Sequence, residues 1–330
     1  MEAIRRTNGF LEKWIYLIMP MIMVFGMTLG GSLVGMVGVT PFLFMVLTFI
    51  SSLNADYRKL YRIVQKPAMF AGLLVVIHII IPFIVFQAAG IALHSQPDLA
   101  MGVALSTMLP MGVTSIFWVN YNKGDLETAL SFVTINTMLS PFIVPLTFSW
   151  ILGSQVDLDE GSLNLSLVKL VLIPTLFGML LGEWIKKKPN TVLFKASAAV
   201  LGKVCLYFIV LLNAAAISQQ IHTVKNHFVQ VLATVFLTIV FGYLLSYLYG
   251  RLFAFERETN IAVAYTGGVR NYTVGVVLAT TFFTPLVSLP VLLAMLLQHP
   301  IALLFFYFFR WLHRDRFREL KENRYGKVRS

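Results

Sequence analysis

The sequence predicts an all-α polytopic membrane protein of about ten transmembrane helices. Three observations predict it: a surplus of apolar residues, ten apolar runs of membrane-crossing length, and an alternation of basic and base-poor loops between them. Hydrophobic residues make up 58% of the 330, charged residues only 12%, about half the share usual in soluble domains. Mean hydropathy is +0.78. A soluble chain of this size buries roughly three quarters of the surface it exposes when unfolded, so apolar surface is left over and needs lipid.

The apolar runs cover 14–33, 36–53, 68–93, 99–119, 129–152, 165–184, 196–218, 228–250, 260–283 and 286–309. Each is near the roughly 20 residues that cross a hydrocarbon core. Lipid offers no partner to a backbone N–H or C=O, so each run is expected to be helical. Basic residues then fall in every second loop. Arg5, Arg6 and Lys13 precede the first run; Arg58, Lys59, Arg62 and Lys66 follow the second; Lys123 follows the fourth. Lys186, Lys187, Lys188 and Lys195 follow the sixth; Arg251 and Arg257 follow the eighth; a basic tail occupies 310–330. The loop after the fifth run is acidic, with Asp157, Asp159 and Glu160. This alternation predicts a multi-pass protein of the cell membrane with both termini in the cytoplasm. It also accounts for the net charge of +11 without nucleic acid. Residues 1–13 are too polar for the start of a cleavable signal peptide, so the first run is expected to stay as a span.

One membrane domain is expected over 1–330, with five runs on each side of the acidic loop. An odd number per half places 14–152 and 165–309 in opposite orientations, the geometry of an inverted repeat. In each half the fourth run is the unusual one. One holds Pro110 and Gly112; the other holds Thr266, Gly267 and Gly268. Proline and paired glycine near mid-membrane favour a broken helix, and breaks at matching places point to a transport site. Close helix packing is the competing reason for the glycines.

Catalytic and metal-binding constellations are missing, so the chain is not expected to be an enzyme or to carry a cofactor. Cys205 stands alone within an apolar run and reads as a small core residue. Arg270, just after the paired glycines, lies near the middle of its run. A charge there costs at least about 2.5 kcal/mol on insertion scales, so it needs a cavity or a partner. Lys169 and Lys203 lie closer to the ends of their runs and can reach the interface. Polar side chains expected near Arg270 for substrate are Thr114, Ser115, Asn271, Gln298 and His299. His78, Thr134 and Asn136 are candidates for ion or proton coupling. Half-helix N-termini and a forked guanidinium suit an anionic or carbonyl-bearing substrate. Equally, Arg270 can pair with opened helix carbonyls and hold the crossing together.

Several stretches resemble the bile acid:sodium symporter family over nearly the whole chain. They are Leu53-Asn54-Ala55-Asp56-Tyr57 through Gln65-Lys66-Pro67, Leu109-Pro110-Met111-Gly112-Val113-Thr114-Ser115, Lys123-Gly124-Asp125, Ala129-Leu130-Ser131 and Leu139-Ser140-Pro141. Thr284-Pro285-Leu286 through Leu289-Pro290, then Gln298-His299, continue the likeness. Each motif is weak alone; their order and spacing on one ten-span plan carry the resemblance. It implies a core of spans 3–5 and 8–10 moving against a panel of spans 1, 2, 6 and 7, with spans 4 and 9 crossing. It also implies sodium-driven uptake of organic anions. The family's sodium ligands, however, fall here on Ile116, Thr266, Arg270, Ala129, Val133 and Ile77, while Ser115 and Asn271 are kept. The expectation is a secondary transporter of a small organic anion with Arg270 standing in for sodium. Its alternatives are a sodium symporter with rearranged ligands and, in another class, a non-transporting membrane sensor or scaffold.

Overall fold

The computed structural model describes residues 2–53, 67–152, 161, 165–166, 168–186, 191–219 and 221–312. The basic loop 54–66, nearly all of the acidic loop 153–164 and the tail from 313 onward lie outside the described residues.

The described chain is all helical apart from one isolated β-bridge. In order the helices are α1 (Glu2–Lys13), α2 (Ile15–Leu33), α3 (Thr40–Ser52), α4 (Pro67–Val75), α5 (Ile81–Ala92), α6 (Pro97–Met108) and α7 (Ser115–Tyr121). There follow α8 (Leu126–Leu152), α9 (Ile173–Ile185), α10 (Thr191–Ser218), α11 (Ile221–Leu252), α12 (Arg257–Gly268), α13 (Tyr272–Phe282) and α14 (Pro285–Leu312). Seven helical stretches among the described residues are long and apolar enough to cross a membrane. Large apolar side chains lie bare on their outer faces, Ile91 at 79% exposure, Leu180 at 70% and Leu146 at 69% among them. No soluble core explains such a surface; lipid does. The protein is a polytopic membrane protein.

The first two apolar runs, read from the sequence as separate, are joined. A 3-10 segment, Val34–Val39, links α2 to α3, and the helical stretch Leu17–Ser52 is 36 residues long. Pro41 lies in the first turn of α3; it has no N–H to give to the carbonyl four residues back. The α-helical ladder therefore stops and restarts there, and the tighter 3-10 turn fills the gap.

The helices sort into two packed groups. In the first, α10 runs along both α2 and α3, and α9 packs on α3. Glycines make these seams close. A Cβ added at Gly26 would strike the Leu211 carbonyl, at Gly178 the Phe49 carbonyl, and at Gly182 the Leu53 carbonyl. Bare backbone against backbone is how helices gain contact in lipid, where burial against another helix replaces only lipid contact. Lys203 is half-buried in this group, its Nζ 2.5 Å from Asn8 Oδ1 of α1; Lys169 is exposed.

The second group holds α4 to α8 and α11 to α14, with α11 against α12, α6 against α5 and α14, and α13 against α14. Between α4 and α5 the helix widens into a π-turn, Val76–Ile80. Ile81 N–H bonds the Val76 carbonyl, five residues back. The next residue, Pro82, has no N–H, so the Ile77 carbonyl is left without a helical donor.

Candidate functional site at the crossing of two interrupted helices

Two of the apolar runs are not continuous helices. α6 stops at Met108, and Leu109 is extended, with φ −72° and ψ 154°. The following Pro110 imposes this, because its ring disfavours the helical conformation of the residue before it. The chain turns helical again at Ser115. In the other half α12 runs through Thr266, Gly267 and Gly268; Val269 is extended, and α13 starts at Tyr272. The interruption thus begins at Val269, one residue beyond the glycines expected to form it. Gly267 and Gly268 serve close packing instead. A Cβ on Gly267 would meet Ser246, and one on Gly268 would enter the Tyr243 ring.

The interruptions satisfy each other's backbones. Gly112 N–H donates to the Val269 carbonyl at 2.8 Å, and Asn271 N–H donates to the Pro110 carbonyl at 2.8 Å. They frame an antiparallel bridge between Met111 and Arg270. Buried backbone groups must pair, and here the pairing fixes the crossing. Gly112 is required by it: a Cβ there would lie 2.8 Å from the Arg270 carbonyl oxygen.

Arg270 is only 4% exposed. Its Nη1 donates to the Leu109 carbonyl at 3.4 Å and its Nη2 to the Ile77 carbonyl at 3.3 Å. Both acceptors are carbonyls that helix geometry has released, one by the end of α6 and one by Pro82. The guanidinium therefore sits against negative helix ends, and among the described residues no carboxylate lies within ion-pair distance of it. It also lines a small cleft with room for about one water molecule. The cleft's polar lining comes from Ser106 and Thr107 at the end of α6, Thr238 on α11, the Gly267–Gly268 backbone and Tyr272.

A second chain of contacts reaches the crossing from α8. Asn136 Oδ1 accepts Met111 N–H at 2.6 Å. The amide's Nδ2 then faces His78 Nε2, 2.7 Å away, and donates to it. His78 Nε2 carries a lone pair and the ring proton is on Nδ1. That Nδ1 is buried and meets no hydrogen-bond partner. Thr134 is half-buried on the same helix and takes no part in this chain.

The other sequence candidates lie as follows. Thr266 Oγ1 is turned to its own helix, bonding the Ala262 carbonyl at 2.8 Å. Thr114 is exposed and makes no capping bond to α7. Ser115 Oγ and Gln298 Oε1 are buried without hydrogen-bond partners. Asn271 contributes its backbone N–H to the crossing. His299 is drawn to α7, where its Nδ1 accepts Trp118 Nε1–H at 3.3 Å. There it borders a further polar group: Asn122 donates to Tyr265 Oη at 2.8 Å, and that hydroxyl donates to the Ala302 carbonyl at 3.2 Å.

Sequence reasoning missed Ser106, Thr107 and Thr238 as cleft residues. The first two had a usable signal, since they immediately precede Leu109-Pro110, where a helix must end. Thr238 had none: it is one hydroxyl within a long apolar run.

An α-helical membrane protein centred on two interrupted helices that cross and pair through their backbones is built as a transporter is built. Comparison with known proteins agrees. Residues 10–309 match the SBF-like CPA transporter family, and the chain belongs to that family. It is 32% identical over 292 residues to the uncharacterized protein YbaS of Bacillus subtilis, covering 88% of this chain and 95% of YbaS. It is 28% identical over 239 residues, 72% of each chain, to the uncharacterized sodium-dependent transporter YocS of the same bacterium. The sodium-dependent organic anion transporter of Homo sapiens is 26% identical over 167 residues, 49% of this chain and 43% of the human protein. The relation to sodium and bile acid-type cotransporters suggested by the sequence motifs is thus a distant one.

Proposed function

We propose that the protein is a secondary active transporter of a small organic anion, working by alternating access and not coupled to sodium through the family's usual sites. One observation carries the reading. A permanent cation, Arg270, is bonded to the Leu109 and Ile77 carbonyls at the centre of the crossing, with no carboxylate in reach among the described residues. Released carbonyls of this kind are what a bound sodium ion would use. With the guanidinium on them, a sodium ion there would face both repulsion and a loss of ligands. Only two of the guanidinium's five N–H donors are used in these bonds. The others are available to a carboxylate or similar group in a state where the water-sized cleft beside Ser106, Thr107 and Thr238 has opened.

In this reading the protein has ten spans, eight of them from the seven apolar stretches. The stretch Leu17–Ser52 counts as two, and the pairs α6–α7 and α12–α13 count as one each. The spans form inverted repeats over 14–152 and 165–309, with both termini in the cytoplasm and the protein in the cell membrane. The group of α2, α3, α9 and α10 is the panel against which the crossing group moves, exposing the cleft to one side and then the other. Thr114, Ser115, Asn271, Gln298 and His299 become substrate contacts in states where the groups have shifted.

Two relatives carry "sodium-dependent" in their names, and this favours a second reading, a sodium symporter with rearranged ligands. A thermal-shift screen of the purified protein against small organic anions, in sodium and in choline buffers, separates the two. The proposal expects an anion that stabilises the protein equally in both buffers and fails to stabilise Arg270→Gln. Stabilisation that needs sodium, or that survives in Arg270→Gln, would overturn it.

A further inference from the structure

We propose that His78 is the proton-binding site of this protein, and that protonation unfastens the crossing through Asn136. The inference deepens the anion-transporter reading and rests on it for the link to substrate, but the switch itself stands on contacts within the chain.

The contacts run in one direction. Met111 N–H donates to Asn136 Oδ1, and Asn136 Nδ2 donates to His78 Nε2. Met111 is the residue bridged to Arg270, so the amide of Asn136 ties α8 to the middle of the crossing. The tie holds only while Nε2 keeps its lone pair. A proton bound there turns Nε2 into a donor facing another donor. The Asn136 amide can turn over and offer Oδ1 to the imidazolium, but Nδ2 then faces Met111 N–H, again donor against donor. Whichever way the amide lies, one proton removes one of the two bonds. No electron moves and no other bond is made or broken.

The surroundings leave His78 alone in this role. The π-turn that carries it packs against α4, α5, α6, α8 and α11. α4 and α5 have no titratable side chain, and α6 and α8 have only Asp98 and Glu127 at their outer ends. On α11, Tyr243 lies against Gly268, Tyr249 donates to the Met69 carbonyl, and Tyr247 lies tilted against Phe309; His222, Lys225, His227 and Arg251 stand toward its two ends. From the crossing come Tyr272 and Arg270. Arg270 bonds the carbonyl of residue 77, next to His78. Two cations so placed repel each other, and an anion held by Arg270 relieves that repulsion. Anion and proton therefore favour each other's binding, and by reciprocity each raises the affinity for the other. The coupled movement is one proton with one anion in the same direction.

The test is amide hydrogen exchange of the purified full chain between pH 3 and pH 8, corrected for the intrinsic pH dependence of exchange. The peptide containing Met111 is compared with peptides from α11. The expected result is a loss of protection at Met111 at low pH, by about tenfold, the effect of losing one buried hydrogen bond. In His78→Gln the protection no longer depends on pH. Protection at Met111 that stays flat with pH in the unaltered protein overturns the proposal without any variant, and so does an unchanged pH dependence in His78→Gln or, should that variant not fold, in His78→Asn. The probe is the proton alone. A failed anion screen with a pH-sensitive Met111 therefore refutes the transport reading only, and a successful screen with a pH-insensitive Met111 refutes this inference only.

Discussion

The two helix groups use glycine for opposite ends. In the group of α2, α3, α9 and α10, Gly26, Gly178 and Gly182 bring backbone against backbone where helix meets helix. In the crossing group, Gly112 and Gly268 bring interrupted backbone into a polar centre, beside Arg270 and under the Tyr243 ring. One region uses its close contacts to join helix to helix, the other to seat a buried cation with released carbonyls around it. The comparison teaches where a change of shape is cheap. Seams of small residues between helices slide or hold as a whole, whereas the crossing has discrete hydrogen bonds that either form or do not.

Substitutions that fill the glycines separate the two regions. The largest effect is expected from Gly268→Val. Its side chain would have to displace the buried Tyr243 ring, at a cost of about 3 kcal/mol, and the anion response should be lost with the fold of the crossing. Yield of monodisperse protein and its unfolding temperature are the readouts; a variant of ordinary stability would mean that the ring moves aside freely. Next comes Gly178→Ala, which presses on the Phe49 carbonyl and the Ser52 side chain. It should lower stability by about 1–2 kcal/mol while leaving anion-dependent stabilisation intact. Loss of the anion response at near-normal stability would break the division of labour between the groups. The smallest effect is expected from Thr134→Val. This hydroxyl takes no part in the link from His78 to Met111, so stability should stay within about 0.5 kcal/mol and the anion response should not change. A clear loss of response would make Thr134 a contact in another state of the transporter.

Much of the architecture was legible because lipid leaves the backbone few options. Apolar runs must be helices there, and Pro110 forces the end of α6 by a local rule that reads directly from the sequence. Gly267 and Gly268 were legible as special, though not as to which purpose they serve, since packing and breaking ask for the same residue. The runs 14–33 and 36–53 were separable in the sequence, but their link was not described by it; Gly35 and Gly38 stand within the 3-10 turn, and Pro41 follows it in the first turn of α3. The partners of Arg270 were half legible. The end of α6 could be anticipated from Pro110. The Ile77 carbonyl could be found only by asking which acceptor loses its donor to Pro82 once the helix widens by a residue. The contacts His78–Asn136 and Asn136–Met111 span 58 and 25 residues, and no local rule brings such positions together. His299 shows the same limit: its partner Trp118 is 181 residues away, so its place beside α7 follows from tertiary packing alone.

The central claim is that Arg270 holds the cation position of the crossing. It is tested most directly by the unfolding temperature of the purified protein as sodium chloride replaces choline chloride at constant ionic strength. The account predicts superimposable curves, with no stabilisation specific to sodium. A saturable, sodium-specific rise in unfolding temperature would contradict it.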